Sequence, residues 1–318
     1  MNILITSASR KVGLVKSFKK VLNSSDKVIA ADINKCSPAL YFADDFLKLP
    51  RSDNSNFIKI LLDICEKSAI DLIIPTRDEE LSLFSKNIDL FSDIGTKIMV
   101  SSLKSIEICQ NKNKFIDFCI NKNFTIPKTF NKFNEISEDN LPIFLKPKQG
   151  KGGAGIHKIS SLHQLKLFED DFNDYIVQEF IDMPEYTIDL FADFNGNIIS
   201  AVPRERINVW GGESLVTKTF KNDFLINEVV KLAKSLNLIG HNTIQCFFDG
   251  KENIKFIEIN PRFGGAASLS FAAGANSPLF IIKLLKNEEV KSIIGDFEDN
   301  LIALRYVEDF FIGENDLK

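Results

Sequence analysis

Sulfur and imidazole are scarce in this chain of 318 residues, which has five cysteines, three histidines and no Cys-x-x-Cys pair or Cys/His cluster. That spacing excludes a zinc ribbon or a disulfide framework and leaves Cys36, Cys65, Cys109, Cys119 and Cys246 as reduced thiols of the core or surface. Long apolar runs are also missing. No stretch reaches the roughly 18 residues a membrane helix needs. The opening MNILITSAS has no basic segment before its apolar run and turns polar at once, so it reads as a first strand and not as a signal peptide. Nor is there an excess of positive charge. The formal net charge of −4 argues against a nucleic-acid or membrane-surface binder and for small-molecule partners. A cytoplasmic location is the default expectation. Hydrophobic residues make up 44% of the chain, enough for a large core divided among one to three domains.

The first hundred residues alternate short apolar runs with amphipathic ones. NILITSAS, KVIAADI, LIIPTRD and KIMVSS read as strands, with VGLVKSFKKVL and NFIKILLDICEKSA as helices between them. This order predicts a parallel, Rossmann-like sheet of βαβ units over residues 1–102. Ligands of such sheets sit beyond the carboxyl ends of the strands. That rim carries Ser7, Ser9, Arg10, Asp32 and the cluster Thr76, Arg77, Asp78, Glu79, Glu80, with Ser9, Arg10, Asp78 and Glu79 as candidate substrate contacts. The alternative for each is a turn residue or helix cap. Residues 103–122 read as helical. From residue 125 onward mixed strand and helix signals indicate α+β, and no repeat or long linker separates the parts. The arginines of VPRERI, Arg204 and Arg206, have a bland alternative as a solvated pair on an edge strand. Trp210 and Glu213 fall in a loop reading WGGES.

Two stretches carry the chemistry. In FIEINPRFGG, Glu258 and Asn260 are two apart on one strand and project to the same face, while Ile257 and Ile259 pack on the other. Paired oxygen ligands suit a hard cation such as Mg²⁺, whose shell substrate phosphates often complete. The second stretch, GKGGAG at 150–155, fits the letters of a dinucleotide fingerprint, but it lies mid-chain between two expected strands and does not open a helix. No Gly-Lys-Ser/Thr follows, so it is not a phosphate P-loop. It reads as the tip of a hairpin whose glycines let backbone N–H groups approach phosphate oxygens, with Lys146, Lys148 and Lys151 adding charge; the alternative is a plain surface turn. In VQEFIDMPEYTID, residues 177–181 read as an apolar link that a flat heteroaromatic ring could pair with, and Glu185 suits two ribose hydroxyls.

In this order, NKNKF, FLKPKQGKGGAG, VQEFIDMPEYTID, IQCFF and FIEINPRFGG resemble the ATP-grasp superfamily, in the branch of the carbamoyl phosphate synthase large subunit. The resemblance covers nearly the whole chain. It implies a pre-ATP-grasp domain (1–102), a small lid subdomain (103–178) and a large subdomain with the metal site (179–318). It also implies ATP with Mg²⁺ or Mn²⁺ as cofactors. By resemblance, Lys112 and Lys114 contact nucleotide, although the family's preceding Asp is Asn111 here. Lys146 would meet the α-phosphate, and Gly152, Gly153 and Gly155 would fold over the β and γ phosphates. Glu179 and Ile181 would meet adenine through their backbone, and Glu185 the ribose. Gln245, Glu258 and Asn260 correspond to the metal shell, and Arg262 reaches the transferred phosphoryl group. Arg204, Arg206 and Glu213 lie where substrate and intermediate contacts are expected. The implied function is an ADP-forming carboxylate–amine ligase acting through an acylphosphate, with small-molecule carboxylate and amine as partners and a homodimer as a possible assembly. Two alternatives stand beside it, a kinase of bicarbonate or carbamate and a silent ATP-binding partner protein.

Overall fold

The computed structural model describes residues 1–148 and 155–317. Along the first hundred residues β1 (Asn2–Thr6), α1 (Val12–Val21), β2 (Lys27–Asp32), α2 (Ala39–Phe42), β3 (Asp45–Lys48), α3 (Phe57–Lys67), β4 (Leu72–Pro75), α4 (Asp78–Lys86), α5 (Ile88–Asp93) and β5 (Lys97–Ile98) follow one another. The strands pair in parallel in the order β3-β2-β1-β4-β5, as the alternation predicts. The period-two rule sorts their side chains. Ile3 and Ile5 face α1 and a core that also holds Phe191, Phe263 and Phe280 from the second half of the chain, whereas Leu4 faces Phe57, Leu61, Phe84 and Phe91 on the opposite side. The first sheet is therefore welded to the later sequence by a shared apolar layer.

The helical stretch expected over 103–122 is two helices, α6 (Leu103–Gln110) and α7 (Lys112–Asn121). Asn111 breaks it: its backbone is extended (φ −108°, ψ 110°), and its side-chain oxygen accepts the N–H groups of Asn113 and Lys114 at 3.0 Å. This is an N-cap, a role that Asn and Asp fill equally well. Cys109, Phe115 and Cys119 from these helices share a buried cluster with Ile188 and Leu190 of the large sheet described below and with Leu232 of a helix packed on it.

A four-stranded antiparallel sheet, ordered β6-β9-β7-β8, is formed by β6 (Thr129–Phe130), β7 (Ile143–Pro147), β8 (His157–Ile159) and β9 (Tyr175–Glu179), with α8 (Leu162–Lys166) across it. Its small core holds Phe130, Ile143, Leu145, Leu165, Phe172 and Val177. β7 and β8 are antiparallel partners, as a hairpin requires. Its tip, including Gly152, Gly153 and Lys151, lies outside the described residues, and Gly155 stands at the return toward β8.

The remaining strands and helices are β10 (Glu185–Ala192), β11 (Ile198–Trp210), β12 (Glu213–Thr219), α9 (Asp223–Ser235), β13 (Gly240–Phe248), β14 (Ile254–Asn260), α10 (Ser268–Ala272), α11 (Ser277–Leu285) and β15 (Ile302–Leu304). The strands make a six-stranded antiparallel sheet, β14-β13-β10-β11-β12-β15. Two sequence expectations change here. WGGES is a tight hairpin: Trp210 ends β11, Glu213 begins β12, and Gly211 and Gly212 between them adopt φ of +56° and +78°, which a two-residue turn of this hand demands. And β11 is not an edge strand, because β10 and β12 flank it; the side chains of Arg204 and Arg206 are only 4% and 9% exposed. The reading of these arginines as a solvated pair is overturned.

Candidate active site

The polar edge of β14 lies against β13, with Gln245 and Glu258 in register. Gln245 Nε2 donates to Glu258 Oε1 at 2.7 Å, and Asn260 Nδ2 donates to the same oxygen at 2.9 Å. One carboxylate and two amides from adjacent strands thus converge. Just beyond β14 the chain turns so that Arg262 Nη2 lies 3.3 Å from Asn260 Oδ1. The same guanidinium forks onto Asp78 of α4, Nε to Oδ1 at 2.8 Å and Nη2 to Oδ2 at 2.9 Å. The turn is tight enough that a Cβ at Gly264 would lie 2.6 Å from Thr243 Oγ1, so only glycine fits there.

Two lysines approach the floor from the other side. Lys112, the first residue of α7, donates from Nζ to the carbonyl of Pro147 at 2.7 Å, tying α7 to the end of β7. Lys146 stands on β7 itself. Burial pushes its ammonium down to about 8, with the nearby Glu258 pulling the other way and Lys112 adding to the depression. Lys112 is also lowered, first by burial and against the pull of Glu258. Desolvated ammonium groups facing one carboxylate make a site with a deficit of negative charge, the complement of a polyphosphate. Lys114 is elsewhere: its Nζ pairs with Glu107 at 2.9 Å on the exposed face of the helices.

The arginines of β11 have separate tasks. Arg206 reaches Gln245 Oε1 and Glu185 Oε1, each at 3.1 Å, and the carbonyl of Gly212 at 3.0 Å. Glu185 is raised by burial and by Glu258, against the stabilising charges of Arg206 and Arg204. Arg204 is held in the interior by Asp189, Nε to Oδ2 at 2.9 Å, with Ser270 Oγ donating to the same oxygen at 2.7 Å. Burial would raise the Asp189 carboxyl, but Arg204 and the adjacent His241 hold it far below the usual carboxylate range. His241 stacks on Phe263 at 4.4 Å and bonds Ser277 Oγ at 3.0 Å, a structural role.

A cavity of about 530 Å³ connects these groups; its lining includes Lys112, Arg206, Gln245, Glu258, Asn260 and Arg262. Asp78 and Glu79 from the first sheet's rim and Glu213 from the hairpin also face it, so the rim and floor enclose one space. Arg10 is 84% exposed and lies 3.9 Å from Glu213. Ser9 donates its backbone N–H to Asp32 at 2.8 Å, as a turn residue does. Glu79 pairs with Arg77 at 3.3 Å. At the hinge, burial alone would raise the Glu179 carboxyl, but Lys255 and the backbone N–H of Lys128 hold it below its ordinary value. The N–H of Glu179 donates to Lys128 O at 2.9 Å and that of Phe180 to Pro142 O at 3.2 Å, which leaves Ile181, beyond the end of β9, as the first hinge position past these bonds. Glu179, Ile181 and Glu185 are not among the residues described as lining the cavity.

Sequence reasoning passed over Arg305. It follows β15, lines the cavity, and donates from Nη1 to Glu213 Oε2 at 2.6 Å and from Nη2 to the carbonyl of Gly265. Its one signal was a lone cation in the apolar run LIALRYV. Thr187 was also missed. Among the described residues, Thr187 Oγ1 and Arg206 Nε are buried without a hydrogen-bond partner, and both residues face the cavity. Orphaned polar atoms in a cavity wall are the mark of groups that await a ligand.

Residues 3–99 match the family of PylC-like N-terminal domains, and residues 171–308 match the family described as ATP-grasp in the biosynthetic pathway with Ter operon. Residues 171–308 are thus an ATP-grasp domain. Among curated relatives, the carbamoyl phosphate synthase large chain of Clostridium acetobutylicum is 21% identical over 86% of this chain and 26% of its own length. That of Thermoplasma volcanium is 24% identical over 66% of this chain and 22% of its own. This chain thus spans about a quarter of the length of these relatives. In solved structures the fold recurs in the biotin carboxylase domain of Hydrogenobacter thermophilus 2-oxoglutarate carboxylase, in complex with MgADP, ADP and bicarbonate (TM-score 0.72, 17% identity, 94% of this chain and 73% of that one). It recurs too in N5-carboxyaminoimidazole synthetase from Staphylococcus aureus (TM-score 0.71, 16% identity, 94% and 79%). No helix among the described residues is long and apolar enough to cross a membrane.

Proposed function

We propose that this protein is an enzyme, an ADP-forming ligase that joins a small-molecule carboxylate to an amine through an acylphosphate. One observation carries the reading: Gln245, Glu258, Asn260 and Arg262 converge in the wall of one cavity that Lys112 also lines, and the buried ammonium of Lys146 on β7 feels the charge of the same Glu258. Phosphoryl transfer needs positioning and charge neutralisation more than a protein nucleophile, and this set offers both.

The residues fit ATP and Mg²⁺. Among the described residues, Thr187 Oγ1 and Arg206 Nε have no hydrogen-bond partner, and burial lowers the pKa of both Lys146 and Lys112. Among the described residues no group of three or more His, Cys, Asp or Glu side chains is placed to hold a metal by itself. A divalent cation held by Glu258, Asn260 and Gln245 would therefore share its shell with phosphate oxygens, as Mg²⁺ commonly does, and Mn²⁺ could replace it. When bound, it would neutralise charge on the transferred phosphoryl group. Lys146 and Lys112 hold the phosphates. By the resemblance, the glycine-rich stretch of Gly152, Gly153 and Gly155, of which only Gly155 is among the described residues, is assigned to the phosphates, the hinge at Glu179 and Ile181 to the base, and Glu185, if released from Arg206, to the ribose. A carboxylate oxygen of the substrate attacks the γ-phosphorus, the bond to the β-phosphate oxygen breaks, and ADP leaves. The amine nitrogen then attacks the acyl carbon, and phosphate departs with the bonding pair while the amine loses its proton. Arg262 and Arg206 orient the phosphoryl and acyl groups. Arg204, which also lines the cavity, is held in place by Asp189 beside them. Ser9, Arg10, Asp78, Glu79 and Glu213 form the side of the cavity from which the second substrate enters. We place the units at 1–102, 103–178 and 179–318, and the protein in a compartment that keeps its buried thiols reduced, the cytoplasm.

A kinase of bicarbonate or carbamate is the second reading, favoured by the neighbour crystallised with bicarbonate. The deciding experiment is Mg²⁺-dependent ADP release against pooled amino acids, sugar acids and bicarbonate, with and without pooled amines. The ligase predicts ADP only with an organic carboxylate, rising when amines are added; ADP with bicarbonate alone replaces it with the kinase.

A further inference from the structure

The Arg262 guanidinium has five N–H hydrogens to offer. Its Nε and one Nη2 hydrogen bind Asp78, the second Nη2 hydrogen points to Asn260 Oδ1, and Nη1 donates one hydrogen to the carbonyl of Phe263 at 3.3 Å. Among the described residues, one Nη1 hydrogen is left uncommitted. Asp78 thus fixes two edges of the fork, and the orientation of the third follows from it.

The partner is 184 positions away in the chain and belongs to the other sheet. Asp78 is itself rigidly mounted. The preceding Thr76 donates from Oγ1 to the carbonyls of Thr6 and Ser7, each at 2.8 Å. Glu80, two residues on, accepts from Thr6 Oγ1 at 2.9 Å and from Ser7 Oγ. Gln110 Nε2 donates to the backbone carbonyl of Asp78, and Ser82 Oγ steadies Gln110 Oε1 at 3.1 Å. This mount distinguishes the pair from an ordinary surface ion pair, since both side chains are mostly buried, at 21% and 16% exposure, and the contact is bidentate.

We infer that Asp78 is a positioning residue that aims Arg262 at the phosphoryl site, so that the first domain sets the geometry of the floor on the third. It is not a substrate contact in its own right. The inference rests on the reading of Arg262 as the group that meets the transferred phosphoryl.

The test compares wild type with Asp78→Ala, the volume-conserving Asp78→Asn, Arg262→Ala and the Asp78→Ala/Arg262→Ala double variant, all as full chains. Steady-state ADP release should show kcat lower by roughly 10- to 100-fold in Asp78→Ala, the scale expected when a reacting group is misaimed, with KM for ATP within about twofold. In the Arg262→Ala background the same substitution should cost nothing further, because there is no fork left to aim. A purely structural Asp78 would instead multiply its loss in both backgrounds and lower the melting temperature of both. Unchanged kcat, or a kcat that rises because the pair restrains Arg262, also overturns the inference. A second arm needs no turnover: the ¹⁵Nε–¹Hε resonance of Arg262, assigned by its loss in Arg262→Lys, should exchange slowly with water in wild type and much faster in Asp78→Ala and Asp78→Asn. Equal exchange rates contradict the inference. If wild type releases no ADP with any pool, the ligase reading fails, while this resonance still decides the Asp78 pairing.

Discussion

The floor of the cavity and its rim are built differently. On the floor, Gln245, Glu258 and Asn260 stand on neighbouring antiparallel strands, where register fixes which side chains meet. On the rim, Ser9, Arg10, Asp78 and Glu79 follow parallel strands; Ser9 and Glu79 have partners within the first hundred residues, Asp32 and Arg77, whereas Asp78 and Arg10 take theirs from distant parts of the chain, Arg262 and Glu213. Strand-borne groups hold one geometry at little cost, whereas loop- and helix-start groups acquire theirs from whatever packs against them. Under the proposed function, the difference would separate a site for common chemistry from a border that selects substrates.

The largest effect should come from beneath the floor. Arg204→Met leaves the buried Asp189 carboxylate without its main counter-charge, and urea denaturation should register a loss of about 3–5 kcal/mol; Arg204→Met combined with Asp189→Leu should recover most of it. A loss under about 1 kcal/mol would mean that the floor does not depend on this pair. Next, Glu258→Gln should cut ADP release by about 10²- to 10³-fold, the scale of removing one electrostatic group from a transition state, while the melting temperature stays near that of wild type. Third, Lys146→Met should weaken ATP binding by about tenfold or more, near the value of a charge-assisted hydrogen bond.

The pH dependence of the wild type sharpens this third prediction. Lys146 in the free protein titrates near 8, and phosphates would raise it again. Below that pH it is already charged and ATP affinity should be flat; above it, binding must take up a proton and affinity should fall. Calorimetry in buffers of different ionisation enthalpy should detect that proton. The linked stability has its own sign: a lysine depressed on folding lets the unfolded chain bind more protons between about 8 and the ordinary value near 10.4, so its penalty on the fold fades as pH rises through that window. Smallest of all, Glu79→Gln on the rim should shift the KM of the carboxylate or amine by about threefold or less and leave ATP affinity untouched, as befits a half-exposed pair with Arg77.

The sequence was most legible where local rules decide geometry. The parallel sheet followed from alternating runs, and the shared face of Glu258 and Asn260 from the two-residue period of a strand. The break at Asn111 was masked by apolar residues that continue the helical pattern on both sides, although its capping side chain was in view. Arg204 and Arg206 look alike as letters two apart; their neighbours differ, Asp189 below one and Glu185 with Gln245 beside the other. That distinction is tertiary, as is Arg305, whose partners Glu213 and Gly265 are 92 and 40 positions away. No local pattern encodes such contacts.

The most direct test of phosphoryl transfer on this floor is Mg²⁺-dependent ADP release by wild type and Glu258→Gln with pooled carboxylates in the presence of hydroxylamine, which intercepts acylphosphates as hydroxamates. The account predicts hydroxamate and ADP in equal amounts from wild type and almost none of either from Glu258→Gln. ADP without hydroxamate, or equal yields from the two proteins, would contradict it.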